Sequence, residues 1–302
     1  IKVGLLGAGR IASVHATAIS NHPLSNLAAV ADINNTAALN IANRYGCEVK
    51  EIEEILRDQS VNAVLIATST NTHSDLLVRA TAAGKAVLCE KPVDLDLARA
   101  RECQSQIEKT GLPVMIGFNR RFDPNFSALQ NALAGGEIGK PELLSITSFD
   151  PAPPPIEYVK SSGGLFKDMM IHDFDMANFI MGEIPEAISA FGTSIINPDI
   201  KEAGDIDTAL VTMQYADGKL AIIKNSRRAS YGYDQRLELL GSEGLLQAQN
   251  MSENTIVKST ENGVLGAKPT YFFLERYMTA FIAEWGAFMN VVTENKTIPV
   301  TM

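Results

Sequence analysis

Hydrophobic and polar positions alternate in blocks along the first part of the chain. Short apolar runs that end in glycine or a polar residue predict buried strands at Lys2–Leu6, Leu27–Ala31, Val61–Ala67, Ala86–Cys89 and Val114–Phe118. Helical spacing of apolar positions between these runs predicts helices at Ile11–Asn21, Thr36–Tyr45, Thr72–Ala83 and Asp94–Lys109. Strands that alternate with helices in this way indicate a parallel sheet covered on both faces.

The pattern changes after Asn119. Strand-like segments occur at Glu142–Phe149, Ala187–Ile195, Thr208–Tyr215, Leu220–Asn225, Arg236–Leu240 and Leu245–Gln249. Turn residues at Asp217-Gly218 and Ser242-Glu243-Gly244 predict hairpins, and therefore a largely antiparallel sheet. Helices are predicted at Phe126–Leu133, Gly164–Met181 and Phe272–Val292. We predict an α/β chain with a doubly wound parallel domain over residues 1–117 and an α+β domain over residues 118–302.

Composition and charge exclude several classes of protein. The chain has 302 residues, of which 46% are hydrophobic, and a formal net charge of −9, so a nucleic-acid partner is disfavoured. No apolar run approaches the roughly 18 residues of a membrane span, and the first residues lack the order of a signal peptide. The three cysteines are odd in number and lack metal-ligand spacing. We expect free thiols, a cytoplasmic location, no membrane contact and no metal.

A glycine-rich turn joins the first strand to the first helix. Gly7-Ala8-Gly9-Arg10-Ile11-Ala12 matches the dinucleotide fingerprint G-x-G-x-x-G/A of Rossmann domains, with Ala12 in third place. Asp32 ends the second strand about 20 residues after the fingerprint, where a carboxylate can accept the ribose hydroxyls of NAD. The same carboxylate would repel the 2′-phosphate of NADP. The alternative is that Asp32 only caps the following helix.

Polar residues also follow the next two long strands. Thr68, Asn71 and His73 come after one strand, and Glu90 and Lys91 come after the other. Ligands of open parallel sheets bind outside the carboxyl ends of the strands, so we predict that these residues line the cofactor cleft. The alternatives are helix capping for Asn71 and a solvated loop position for Lys91.

A carboxylate and a histidine lie four residues apart in the predicted helix Gly164–Met181. Asp168 and His172 would share one face, and Asp175 would lie near them. The carboxylate could orient the imidazole and raise its basicity, which suits a base that deprotonates an alcohol. The alternative is a salt-bridged structural histidine. A metal site is disfavoured because no other of the four histidines lies at ligand spacing from His172.

Together these motifs resemble the family of glucose–fructose oxidoreductase, inositol dehydrogenase and the rhizopine catabolism proteins. The resemblance covers nearly the whole chain, and Glu90-Lys91-Pro92 is its most specific motif. The segments most similar to the family's myo-inositol 2-dehydrogenases are Gly163–Met176, Asn119–Asp123, Asp150–Pro155, Tyr231–Asp234 and Phe272–Tyr277. Ser148 occupies the position where some inositol dehydrogenases have a histidine, so we expect the substrate contacts to differ.

The resemblance implies NAD-dependent oxidation of a ring hydroxyl of myo-inositol to the ketone. It implies that Lys91 binds the reacting hydroxyl, that Asp168 tunes the site and that His172 is the general base. The polyol pocket would include Arg120, Asp150, Tyr231 and Tyr233, although Tyr233 could be a core aromatic and Arg120 or Arg121 a surface residue. A homotetramer is expected by the same resemblance. Another cyclitol, an aldose, use of NADP and a non-catalytic nucleotide and sugar sensor remain alternatives.

Overall fold

Six parallel strands form the sheet of the N-terminal half in the computed structural model, which describes residues 1–302. The strands are β1 (Lys2–Leu6), β2 (Asn26–Ala31), β3 (Glu48–Val49), β4 (Ala63–Ile66), β5 (Ala86–Glu90) and β6 (Val114–Gly117). Their spatial order is β3-β2-β1-β4-β5-β6. The chain reverses its winding direction between β1 and β4, and this switch point is where doubly wound sheets bind nucleotides. The predicted parallel sheet is confirmed.

Helices cover this sheet. They are α1 (Arg10–Asn21), α2 (Asn35–Tyr45), α3 (Ile52–Arg57), α4 (His73–Ala82) and α5 (Leu97–Glu108). The sequence patterns did not predict β3 or α3, because a strand of two residues and a helix of six are too short for a periodic signal. The helix predicted from Thr72 begins as a 3-10 turn at Thr70–Thr72 and becomes α-helical at His73.

A second, mixed sheet forms the core of the following segment. Its main strands are β7 (Pro141–Phe149), β8 (Ala187–Thr193), β9 (Thr208–Gln214), β10 (Leu220–Ser226), β11 (Asp234–Gly241) and β12 (Gly244–Ala248). They lie in the order β12-β11-β7-β10-β9-β8. Only β7 and β10 pair in parallel, so the prediction of a largely antiparallel sheet is confirmed. A separate hairpin pairs β13 (Val257–Thr260) with β14 (Gly263–Gly266).

One face of the second sheet is buried and the other is exposed. Alternate residues of β9, including Val211 and Met213, are buried, and their neighbours face outwards. Helices of this segment are α6 (Pro124–Ala134), α7 (Ile156–Ser162), α8 (Ile171–Met181), α9 (Pro198–Glu202) and α10 (Phe273–Arg276).

The single helix predicted over Gly164–Met181 is wrong in detail. Residues Leu165–Met169 form a π-helical turn, in which the Met170 N–H donates to the Leu165 carbonyl at 2.9 Å, and α8 begins only at Ile171. Gly163 and Gly164 both have positive φ, at 89° and 79°, which L-residues with side chains rarely adopt. A π turn accommodates one extra residue and is often found at functional sites.

The last helix, α11 (Met278–Glu294), belongs to the first compact unit. That unit comprises Ile1–Asn119 and Met278–Met302, and the second comprises Arg120–Tyr277. The indole N–H of Trp285 donates to Ser25 Oγ at 3.0 Å, and the Ile116 N–H donates to the Val300 carbonyl at 3.1 Å. The sequence predicts one domain over residues 118–302, whereas the structure groups Met278–Met302 with the first unit. Periodicity along a helix does not indicate which sheet the helix covers.

None of the helices combines the length and the apolar character needed to cross a membrane. Cys47, Cys89 and Cys103 are free thiols, and the latter two are buried.

Candidate active site

The glycine turn after β1 has the backbone geometry that an anion site requires. Gly7 has a φ of +107°, and a Cβ there would lie 2.4 Å from the Ala67 carbonyl oxygen, so only glycine fits. A Cβ on Gly9 would meet no atom within 4 Å, which leaves open space beside the start of α1. The first turn of α1 contains no acidic residue. Its unpaired N–H groups and partial positive charge can therefore receive a pyrophosphate.

Asp32 supports this turn from the end of β2. Its Oδ2 accepts the Ala8 N–H at 2.6 Å, and its Oδ1 accepts the Asn34 N–H at 2.7 Å. An ionised carboxylate has about four acceptor positions, so roughly two remain for ribose hydroxyls. Asn34, whose side chain accepts from the Ala37 N–H, is the N-cap of α2. The alternative that Asp32 only caps this helix is therefore wrong.

His73 joins the two loops that follow β4 and β5. Its Nδ1 lies 2.8 Å from the Pro92 carbonyl and its Nε2 lies 3.0 Å from the Thr68 carbonyl. Both ring nitrogens of this buried histidine are thus engaged by the protein. Thr68 and Thr72 also share a hydroxyl–hydroxyl hydrogen bond of 2.7 Å, while Asn71 is exposed. This geometry indicates that His73 holds the loop after β4 against the loop after β5.

Lys91 follows the buried Glu90 at the end of β5. Glu90 Oε1 lies 2.7 Å from His15 Nε2, and Glu90 Oε2 accepts the Lys91 backbone N–H at 3.2 Å. Burial would raise the pKa of Glu90, but the His15 hydrogen bond and the charges of His15, Lys91 and His73 outweigh burial and hold the pKa below its usual value. A fixed, ionised carboxylate therefore lies next to the lysine.

In the second unit, a buried arginine lies between two carboxylates. Arg227 is 2% exposed, and its guanidinium nitrogens lie 3.8 Å from Asp150 Oδ2 and 3.5 Å from Asp168 Oδ2. The Tyr158 hydroxyl donates to Asp168 Oδ1 at 2.8 Å. Burial raises the pKa of Asp150 to about 6, with the Asp168 charge adding to this effect and the Arg227 charge opposing it. Asp168 and Asp150 thus belong to one polar cluster.

Sequence reasoning missed Arg227. It lies just after β10, and an arginine at a strand end is most often solvated, so only the three-dimensional structure reveals its carboxylate partners.

Arg120 and Arg121 are both placed inside the second unit. One Arg120 guanidinium nitrogen donates to Ser148 Oγ at 3.0 Å and to Asp173 Oδ1 at 2.6 Å. Arg121 binds Asp175 through two nitrogens, at 2.8 and 2.5 Å. Neither is a surface residue, because their side chains are 6% and 22% exposed. Ser148, at the position where the sequence departs from some inositol dehydrogenases, is thus bound to a buried network.

The two tyrosines expected in the pocket have different surroundings. Tyr233 is 4% exposed, packs edge-on against Phe272 and Tyr277, and has a pKa raised well above its usual value by burial. This placement favours the core alternative. Tyr231 is half exposed, and its hydroxyl donates to Asp234 at 2.6 Å.

His172 lies in the first turn of α8, directly after the π turn that carries Asp168. The extra residue of the π turn alters the simple four-residue spacing assumed from the sequence. Across the structure, no group of three or more His, Cys, Asp and Glu side chains is arranged to hold a metal ion.

A doubly wound sheet with an anion-receiving turn, followed by a unit with clustered carboxylates and a histidine, defines the class of dinucleotide-dependent oxidoreductases. The chain belongs to the GFO/IDH/MocA family. Residues 1–118 match the model of the oxidoreductase family with an NAD-binding Rossmann fold, and residues 126–247 match that of the GFO/IDH/MocA C-terminal domain.

Several relatives are similar over almost their full length. The chain is 47% identical to inositol 2-dehydrogenase of Rhizobium meliloti (strain 1021), covering 99% of this chain and 90% of the relative. It is 44% identical to myo-inositol 2-dehydrogenase of Thermotoga maritima, covering 97% and 88%. The crystal structure of scyllo-inositol dehydrogenase from Lactobacillus casei with bound NAD(H) and scyllo-inositol has a TM-score of 0.93 at 30% identity, covering 100% of this chain and 91% of that one.

Proposed function

We propose that this protein is an inositol 2-dehydrogenase that oxidises a ring hydroxyl of myo-inositol to the ketone with NAD. The observation that carries the proposal is the 47% identity, over 298 residues, to a protein named inositol 2-dehydrogenase. The geometry of Gly7, Gly9 and Asp32 supports NAD as the cofactor.

The proposed roles follow from the chemistry of each side chain. His172 takes the proton of the reacting hydroxyl, and Asp168 orients and tunes the charged groups around it. The Lys91 ammonium donates a hydrogen bond to the same oxygen and stabilises its developing negative charge. Bound NAD would supply the hydride acceptor. In this proposal, Asp150 and Tyr231 contact the other hydroxyls, while Arg120 and Tyr233 hold the pocket wall.

The cofactor would be held mainly by backbone and carboxylate groups. Gly7, Gly9, Arg10 and Ile11 would receive the pyrophosphate at the start of α1, and Asp32 would accept the ribose hydroxyls. Thr68 and Asn71 would lie along the dinucleotide, with Lys91 near its redox ring. His73 and Glu90 support these loops through the contacts described above.

A substrate panel tests the proposal. We expect NADH formation from myo-inositol with NAD, and much slower NADPH formation with NADP. Scyllo-inositol, other cyclitols and aldoses serve as comparison substrates. We expect His172→Ala to lower kcat by roughly two to four orders of magnitude, the usual contribution of general base catalysis. Absence of NADH with every polyol would defeat the proposal, and near-normal turnover of the variant would remove His172 from the mechanism.

The same panel separates two alternatives. Preference for scyllo-inositol would favour the activity named for the Lactobacillus casei relative, to which the chain is 30% identical. Binding of NAD and a polyol without turnover would favour a sensor.

We also propose a homotetramer in the cytoplasm. Support for assembly comes from the exposed face of the second sheet, where Phe191 and Leu210 pair across β8 and β9 and are 75% and 40% exposed. Exposed apolar surface of this kind is typical of a protein contact. Three free thiols suit a reducing compartment.

A further inference from the structure

A row of polar side chains crosses the buried face of the second sheet. Asn225 on β10, Ser148 on β7 and Gln235 on β11 lie opposite one another in the strand register. Each of the three is 1% exposed, whereas the next positions along the same face are apolar, as at Ile146 and Leu237. Buried polar groups are costly unless they are hydrogen-bonded, so a polar row in an apolar face requires a partner.

Asp173, in the first turn of α8, is that partner. Its side chain is fully buried, and one carboxyl oxygen accepts the Ser148 hydroxyl at 2.5 Å while the other accepts the Asn225 amide at 2.8 Å. The Arg120 guanidinium donates to the first of these oxygens at 2.6 Å. Ser148 Oγ also lies 3.0 Å from Gln235 Oε1. We call Asp173 and these four residues the Asp173 cluster.

The cluster joins several elements of the second unit to one carboxylate. Arg120 belongs to the 3-10 turn Asn119–Phe122 after β6, and the other partners come from β7, β10 and β11. The Arg120 guanidinium also lies over the Tyr277 ring, at 5.6 Å from its centre. Because Arg120 and Asp173 are both buried, loss of either partner would leave the other charge uncompensated in the interior. The position of Asp173 is therefore fixed from several directions.

His172 is the residue directly before Asp173. The Met170 carbonyl accepts the backbone N–H groups of Asp173 and Phe174, both at 2.9 Å, and these hydrogen bonds set the first turn of α8. The preceding residues Leu165–Met169 have π geometry, so α8 does not continue from a regular helix on that side. Through Asp173, the first turn of α8 is joined to the sheet one residue away from the imidazole.

We propose that Asp173 is a positioning residue for His172, acting through the buried hydrogen bonds that hold the start of α8 against the second sheet. Asp173 exchanges no proton with the substrate, since its carboxyl oxygens are engaged by Arg120, Ser148 and Asn225. The placement matters because a shift of about 1 Å in a reacting group can lower a rate roughly 100-fold. This inference rests on the role proposed for His172.

Carbon-13 NMR of the histidine rings tests the positioning without any turnover. The chain has four histidines, and the His172 signal is the one lost in His172→Gln. We expect Asp173→Asn to shift or broaden this signal, because the charge that pairs with Arg120 is lost. An unchanged His172 signal in the folded variant would overturn the proposal. Since no substrate is needed, this failure is distinguishable from a failure of the polyol panel.

Kinetics test the consequence for the reaction. We expect Asp173→Asn to lower kcat by roughly 10- to 100-fold, the scale of a small misplacement of the base, with the KM for NAD within about threefold. The KM is spared because the proposed cofactor contacts lie in the first unit. Wild-type kcat in the folded variant would contradict the positioning role.

Exchange of two neighbouring side chains provides the rescue. In the double variant Asp173→Asn/Asn225→Asp, the amide at position 173 donates to the carboxylate at position 225, and its oxygen still accepts from Arg120 and Ser148. The cluster keeps its hydrogen bonds and its net charge, so we expect most of kcat and the wild-type His172 signal to return. Asn225→Asp alone places two carboxylates side by side and should lower kcat. A double variant no more active than either single variant would overturn the proposal.

Asp207, the buried carboxylate of the loop between β8 and β9, offers a matched control. It accepts the backbone N–H groups of residues 195–197, none of which belongs to the Asp173 cluster. Asp207→Asn should lower stability, as Asp173→Asn does, yet keep the wild-type kcat and His172 signal. An equal loss of kcat in the two variants would show a general effect of stability and contradict the proposal.

A milder variant decides if Asp173→Asn does not fold. Asn225→Ala removes one donor to the carboxylate and leaves the ion pair of Asp173 with Arg120 intact. We expect kcat to fall roughly threefold to tenfold, the value of one hydrogen bond, together with a shift of the His172 signal. Wild-type kcat and an unshifted signal in Asn225→Ala would then overturn the proposal.

Discussion

Asp32 supports the glycine turn through its backbone contacts, and we propose that it also recognises the cofactor. Its two hydrogen bonds, to the N–H groups of Ala8 and Asn34, fix the carboxylate at the end of β2. The remaining lone pairs and the negative charge stay available for a ribose. We propose that the same residue shapes the turn and selects the cofactor.

The substitution Asp32→Asn tests this double role. The amide side chain would keep one acceptor for the Ala8 N–H but lose the charge, so we expect kcat/KM for NAD to fall roughly 10- to 100-fold, the value of one or two charged hydrogen bonds. The preference for NAD over NADP should weaken because repulsion of the 2′-phosphate is lost. Asn34→Ala, which removes only the helix cap, should lower stability without changing cofactor preference. An unchanged NAD to NADP ratio in the Asp32 variant would contradict the assignment.

At the residue scale, the geometry of the glycine turn could be predicted because a local motif specifies it. Gly7, Gly9 and Asp32 were predictable because the turn requires a positive φ, open space and a carboxylate at fixed spacing. The buried environments of Arg227 and Glu284 were not predictable, because they are created by residues distant in the chain.

At the scale of elements, the loop between β8 and β9 is held by one buried carboxylate. Asp207 accepts the backbone N–H groups of Ile195, Ile196 and Asn197 at 3.1, 2.8 and 3.1 Å, and the Thr208 hydroxyl at 3.0 Å. Burial would raise the pKa of Asp207, but these hydrogen bonds outweigh burial and lower the pKa below its usual value. The carboxylate therefore stabilises the fold when ionised.

We expect Asp207→Asn to lower the free energy of unfolding by roughly 2–4 kcal/mol, since three backbone N–H groups lose a charged acceptor. Because the pKa is lower in the folded state than in the unfolded state, the wild-type contribution is present above about pH 4 and is lost as the pH falls below it. Denaturant titrations between acid and neutral pH measure both effects.

The exposed Asp217, paired with Lys219, provides the comparison for Asp207. Asp217→Asn should leave stability near the wild-type value, as is usual for surface ion pairs. Equal effects of the two substitutions would contradict the role given to Asp207.

The elements that were predicted least well are those with unusual backbone. Regular α-helical spacing placed Asp168 and His172 on one continuous helix, but the paired glycines 163 and 164 precede a π turn instead. Sequence periodicity does not resolve an insertion of one residue in a helical turn, because the neighbouring apolar positions remain compatible with both geometries.

At the scale of the whole molecule, the most prominent exposed apolar surface lies on the outer face of the second sheet. Strand β8 is exposed along its full length, and Phe191 is 75% exposed. Alternation of apolar and polar residues predicted the sheet but not what covers this face. The return of α11 to the first unit was equally hidden, because it depends on long-range packing.

Substitution of this face tests the proposed assembly. We expect the wild-type protein to be oligomeric in light scattering coupled to size exclusion, and Phe191→Glu to shift it to a smaller species because a charge would be buried in the contact. Ile184, 78% exposed but outside the sheet, provides the control Ile184→Glu. A wild-type monomer would contradict the assembly, and an unchanged oligomer in Phe191→Glu would place the contact elsewhere.

The central claim is that the protein moves a hydride from a ring carbon of inositol to NAD. Myo-inositol carrying deuterium on the carbon of the reacting hydroxyl tests this claim most directly. We expect one deuterium in the NADH recovered by mass spectrometry and none in the solvent. Deuterium released to water, or NADH formed without the label, would contradict the account.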